Sequence, residues 1–190
     1  IEKKRIETIK LNLNGIKKIS KERILIELFK ILNTKNFEKL NNNEPLKDIF
    51  LLIFPEFKYF ERLNKLNEIK SSNIFDKKIL LSILLIDEKN NHEYFLHKYN
   101  VSNNLKDDLN LVAKNYIHSL ENKNFFKKEL KNNIFHFGRK HLELLNIVNF
   151  SINKKIKLDD CMNILNNIKK ISLPKFPFDG NYLKDKGIKE

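Results

Sequence analysis

Apolar residues along this chain recur every three or four positions and seldom alternate with polar ones, which predicts helices throughout. Ile6, Ile9 and Leu13 form a first apolar face, with Gly15 placed to end it as a C′ residue. Ser20 is a natural cap for the next helix, and Glu22 falls in its first turn, where the helix dipole favours an acid. Ile24, Leu28 and Ile31 follow at 4,3 spacing with Leu25, Phe29 and Leu32 beside them. That arc is wide, so this helix is expected to be deeply packed. Thr34 is placed to cap a short helix through Phe37 and Leu40. Pro45 suits the first position of a helix that runs through Ile49 and Leu52. It must stop at Phe54-Pro55, because proline has no N–H and clashes with the preceding turn.

A helix over Glu56 to Leu66 turns Phe57, Phe60 and Leu63 inward, and Ser71-Ser72-Asn73 reads as a loop and capping cluster. Ile74 to Ile86 is apolar nearly all round, the pattern of a central buried helix. Asp87 to Asn91 is a polar loop. Leu105, Leu109, Val112, Tyr116 and Leu120 mark an amphipathic helix. Phe125 to Phe150 contains a short helix and then a longer one, with Gly138 between as either a kink or a close helix contact. Leu158, Met162, Leu165 and Ile168 give a last helix, with Asp159 and Asp160 in its first turn. Pro174 and Pro177 bound an irregular tail.

Three valines and two threonines leave little from which to build strands. The expected fold is therefore all-α, a multi-helix array with no catalytic sheet. The 190 residues suffice for one core or two small helical subdomains. The most apolar stretch, Ile79 to Ile86, is far shorter than the ~20 residues that span a bilayer. No basic segment followed by an apolar run opens the chain, so no signal peptide is expected. Cys161 is the single cysteine, so an intramolecular disulfide has no partner and a reducing, cytoplasmic setting is expected.

Charge changes the picture. Lysine and arginine number 37 against 24 acids, a formal net charge of +13. Such a balance points to a polyanionic partner, nucleic acid above all. Codon bias in an AT-rich genome is a second source for the lysines, since Asn, Ile and Phe are also abundant and Ala113 is the only alanine. Arg5, Arg23, Arg62 and Arg139 run against that bias and are read as the more informative cations.

Catalytic patterns are absent. Nucleotidyl transfer needs neighbouring carboxylates for metal ions that clamp the attacking and leaving oxygens. Its usual signature, Gly-Ser followed by Asp-x-Asp, does not occur. The pairs Asp107-Asp108 and Asp159-Asp160 are adjacent on expected helices, where neighbours diverge by about 100°. His92 and His97, like His136 and His141, are five apart, whereas helical zinc pairs sit at i,i+4. Cys161 lies on the apolar side of its helix, and four scattered glycines make no phosphate loop. No catalytic residue and no metal ligand is expected.

Three stretches resemble one family. Ser20-Lys21-Glu22-Arg23-Ile24 with Glu27-Leu28 is similar to the S-x-E-R-I-x-x-E-L neck helix of class II tRNA nucleotidyltransferases (CCA-adding enzymes) and bacterial poly(A) polymerases. Ile53-Phe54-Pro55-Glu56 resembles the segment that follows it in that family, and Phe176 to Leu183 with Gly187 resembles the family tail, with Tyr182 where the family has Asp. Gly138-Arg139-Lys140 is similar to a Gly-Arg position of the family body. The resemblance implies a C-terminal piece, with the catalytic head upstream of Ile1 and the tail cut short after Glu190. It implies a neck-like region over 1–68 and a body and tail over 69–190. Its partner is the tRNA acceptor arm, and the intact enzyme uses CTP, ATP and Mg²⁺; no cofactor belongs to this chain. Ser20, Glu22, Arg23 and Glu27 are expected to be structural neck residues, with Arg23 or Glu27 partly buried as an anchor. Arg139 and Lys140 are the candidate RNA phosphate contacts. A poly(A) polymerase of the same family and a free-standing helical RNA-binding or scaffold protein are the alternatives.

Overall fold

The computed structural model describes residues 3–34, 37–69, 76–173 and 186. Among them lie ten α-helices and no strand. These are α1 (Lys3–Asn12), α2 (Lys21–Leu32), α3 (Glu44–Ile53), α4 (Arg62–Leu66), α5 (Lys77–Leu85), α6 (Asn91–Lys98), α7 (Asn103–Glu121), α8 (Leu130–Phe137), α9 (Arg139–Ile152) and α10 (Leu158–Lys170). Tighter 3₁₀ turns fill Leu13–Lys18 and Phe37–Asn42.

Two helices form the axis of the core. All seven residues from Ile79 to Leu85 in α5 are buried, as the all-round apolar pattern requires. In α9 every residue from Leu145 to Ser151 is buried. α9 packs against α4, α5, α7, α8 and α10, while α5 also touches α2, α4, α6 and α7. A hydrophobic cluster runs without interruption from Leu25 to Ile168. The expected division at 68/69 therefore falls within shared packing, since α4 lies on α9.

A second source of cohesion is aromatic. Phe37, Phe50, Phe54, Phe57, Phe60, Phe95 and Tyr99 stack edge-on or tilted, with centroids 4.9 to 6.1 Å apart. This cluster explains why the chain between Phe54 and Glu61 runs as turns and not as the expected helix from Glu56. Pro55 breaks the ladder, and Phe57 and Phe60 reach full burial from irregular backbone. Only Arg62–Leu66 is helical there.

Three half-buried cations close three helices. Arg62 Nη1 donates to the carbonyls of Ile83 and Ile86 at the end of α5, both at 2.8 Å, with its guanidinium 3.8 Å above the Tyr59 ring. Lys65 Nζ donates to Asn153 and Ile156 just past α9, both at 2.6 Å. Arg139 donates through both amino groups to Ile168 and Ile171 at the end of α10. The last carbonyls of a helix lack partners within it and carry the negative end of its dipole, so a cation there answers both needs.

Several sequence expectations change. α2 buries only Leu25, Leu28 and Leu32, leaving Ile26 54% and Ile31 40% exposed, because only one stripe of it turns inward, chiefly against α5. Gly15 lies inside a 3₁₀ turn and does not end α1. The Thr34 hydroxyl donates back to Ile31 O at 2.8 Å, closing α2 instead of opening the next turn. α3 starts one residue before Pro45, capped by Asn43. α6 starts at the end of the expected loop over Asp87 to Asn91 and fills a stretch to which the pattern assigned no element. Asn91 and His92 occupy part of its buried face, so its apolar stripe is too thin to see.

Candidate nucleic-acid interface

One cleft concentrates positive charge. It measures about 890 Å³ and opens between the loop that joins α7 to α8, the loop after α9, and one face of α10. Asp160, Asn163, Ile164, Asn167 and Ile171 recur at helical spacing, so they form a single stripe of α10 and its C-terminal extension facing the cleft. The adjoining stripe, Cys161, Leu165 and Ile168, is buried against the core. Burial pushes the Cys161 thiol up to about 11, so it stays protonated and serves packing.

Four lysines line this cleft, Lys123, Lys127, Lys155 and Lys170, against a single carboxylate, Asp160. All four are solvent-exposed, and among the described residues none of them is held in an ion pair. Their backbones are fixed from behind. Asn122 accepts from Asn124 N–H at 2.9 Å and donates to Glu129 at 2.8 Å, which ties down the loop carrying Lys123 and Lys127. Lys65 grips the loop carrying Lys155 through Asn153 and Ile156. Arg139 holds the final turn carrying Lys170. The cleft also has an apolar side, with Phe126 half-buried and packed edge-on against Phe125 at 5.0 Å.

The sequence-expected residues fall elsewhere. Arg139 is half-buried behind α10, with its amino groups turned to backbone carbonyls. Lys140 is exposed and lines a different cavity of about 740 Å³. Adjacent helical residues diverge by about 100°, so the two cannot act as a pair on one phosphate. In the second cavity Lys78 is paired with Asp108, and Asp76 and Glu143 offset Lys140 and Lys169. That wall is balanced where the first is strongly basic.

Ser20 caps α2, its hydroxyl accepting from Arg23 N–H at 3.3 Å. Glu22 is held below the usual carboxylate range by its own backbone N–H and by Asn100. Arg23 and Glu27 are both exposed, and Glu27 pairs with Lys30 at 2.9 Å. The expected partial burial of Arg23 or Glu27 is not observed, because α2 turns a different stripe to the core. Glu56, in the Phe-Pro-Glu stretch, is 2% exposed and bonded to Lys98 at 2.6 Å. The tail stretch from Phe176 to Gly187 lies outside the described residues apart from Lys186.

Sequence reasoning weighted arginine over lysine, and so passed over the lysine cleft. Arg62 and Arg139 are bound to carbonyls, and the signal that finds the cleft is the Asn-Lys stripe on the polar side of α10. Among the described residues no group of three or more His, Cys, Asp or Glu is arranged to hold a metal ion. The donor set does not fit the Mg²⁺ site of nucleotidyl transfer, so no chemical step is assigned to these residues. No described helix is long and apolar enough to cross a membrane. No family model, curated protein or solved structure matches this chain.

Proposed function

We propose that this chain is an RNA-holding helical part of a class II tRNA nucleotidyltransferase, and that its lysine cleft grips phosphates of the tRNA acceptor arm. The observation that carries the reading is the four-to-one excess of free lysines over carboxylates in one cleft. A backbone polyanion meets such a surface by releasing counterions, with no need for base recognition. The stretches at Ser20 to Leu28, Ile53 to Glu56 and Phe176 to Gly187, in family order, support the choice of family. On this reading Lys123, Lys127, Lys155 and Lys170 are the principal contacts. Lys140 is secondary, and Arg139 acts only by holding α10. Transfer from CTP and ATP with Mg²⁺ belongs to another part of the intact enzyme, and this chain alone is inactive.

The test is a salt titration of binding to a hairpin that mimics the acceptor arm. Affinity falls by about 0.7–0.9 log units per tenfold salt for each phosphate neutralised. Changing Lys127 and Lys170 together to Ala flattens that slope by about 1.4–1.8, while Lys140→Ala changes it less. If the hairpin does not bind at low salt, or the double variant leaves the slope intact, codon bias accounts for the lysines and the proposal is wrong.

A further inference from the structure

The lysine cleft contains a group that phosphate binding does not explain. Asn149, on α9, lines its wall and is 7% exposed. Its Oδ1 is buried and has no hydrogen-bond partner among the described residues. Asn110 Oδ1 is likewise buried without a partner, but Asn110 does not line the cleft, and other buried asparagines anchor their amide nitrogens on the backbone. Asn146, three residues earlier on α9, donates to Cys161 O at 2.9 Å, and Asn133 donates to Phe125 O at 2.9 Å. A buried acceptor left unpaired is costly, and leucine at the same place avoids that cost. An anion cannot satisfy it, because phosphate oxygens are themselves acceptors. The missing partner is a donor.

We propose that the cleft is a nucleotide pocket, in which the lysines hold the phosphate of one unpaired nucleotide of a bound RNA and Asn149 Oδ1 accepts a hydrogen bond from that nucleotide. The inference rests on the RNA-binding reading above and adds a specificity residue to it. Volume agrees, since about 890 Å³ lies within the ~300–1,000 Å³ range of small-molecule sites. The wall chemistry agrees as well. Phe126 supplies an aromatic surface beside the lysines, the combination that receives a base and its phosphate together. Two parts of a nucleotide offer the donor, the ribose 2′-OH and an exocyclic amine of the base. The second cavity is a weaker candidate, since its cations are matched by carboxylates.

The experiment uses the whole chain and measures binding of CMP, dCMP, UMP and inorganic phosphate to the wild type and to Asn149→Leu. CMP is expected to bind more tightly than phosphate, and Asn149→Leu to weaken CMP by roughly fivefold to tenfold while phosphate is unaffected. Thermal stability of Asn149→Leu is expected to hold or rise. A side chain needed only for packing would lose stability and leave the CMP-to-phosphate ratio unchanged, so the two roles move opposite readouts. Selective loss with dCMP assigns the donor to the ribose, and selective loss with UMP assigns it to the base amine. If CMP binds no better than phosphate, or Asn149→Leu binds CMP like the wild type, the inference is overturned. The acceptor-arm hairpin is titrated alongside: salt-dependent hairpin binding in that case leaves the RNA reading standing, and its absence removes both.

Discussion

Arg139 sends both amino groups to the carbonyls of Ile168 and Ile171, and Lys140 beside it faces solvent at a separate cavity. A guanidinium suits the first task, because its planar fork meets two carbonyls at once without needing a counterion. Removing it leaves two carbonyls at a helix end without their donor. Arg139→Ala is therefore expected to lower stability by about 1–3 kcal/mol, and Lys140→Ala by less than about 0.5 kcal/mol. Urea unfolding of both variants checks this. Equal effects, or a stable Arg139→Ala that loses RNA binding, would return Arg139 to the interface. Composition could not have separated these two cations. What separates them is the register of α9 against α10.

At the scale of elements, the junction of α8 and α9 turns on Gly138. Its φ of 82° and ψ of 154° lie in a region essentially open only to glycine. A Cβ there meets nothing within 4 Å, so the glycine is not a close contact between helices but a backbone requirement. Gly138→Ala is expected to cost about 1–3 kcal/mol, read as a drop in melting temperature with unchanged helix content. A neutral result would mean that the junction relaxes to ordinary angles. The sequence left kink and contact open here, because both use the same residue. Elsewhere the elements were legible wherever apolar residues recur at helical spacing. α5 follows its pattern closely, whereas α7 leaves Leu120 46% exposed and α10 buries Cys161 in place of Met162, which is 39% exposed. Legibility failed where burial and periodicity part company. The aromatic cluster is built from turns after Pro55, and α6 buries Asn91 and His92 in place of apolar residues. The cleft was legible only as net charge. It is assembled from two loops and one helix face, which no local pattern brings together.

Across the whole molecule, buried histidines set a response to acid. Burial holds His92 below its ordinary value against the pull of Glu93 and Asp87. Burial does the same to His141 against Asp108, and its Nε2 sits 3.0 Å from Asn115 Nδ2. That ring nitrogen accepts from the amide only while unprotonated. Both residues titrate lower in the folded than in the unfolded chain. Their contribution is therefore complete above the unfolded pKa of about 6.5, and it is lost as pH falls through the folded values. Asp87 adds a second, more acidic window. Burial alone would raise it, but hydrogen bonds from the Asn91 and Lys89 N–H groups and the Tyr59 hydroxyl outweigh that and leave it lowered. Its share is present above about 3.9 and lost below. Melting temperature is thus expected to be level near pH 7.5, to decline from about 6.5 downward, and to drop again toward pH 3. His92→Phe combined with His141→Gln, which keeps an acceptor for Asn115, flattens the first decline and leaves the second. An unaltered profile between pH 7 and 5 in that double variant would assign the acid response to other groups. RNA affinity measured between pH 7 and 5 is expected to weaken only as far as the fold does, so that the affinity and melting curves break together, and a loss of affinity ahead of the fold would place a titrating group in the cleft itself.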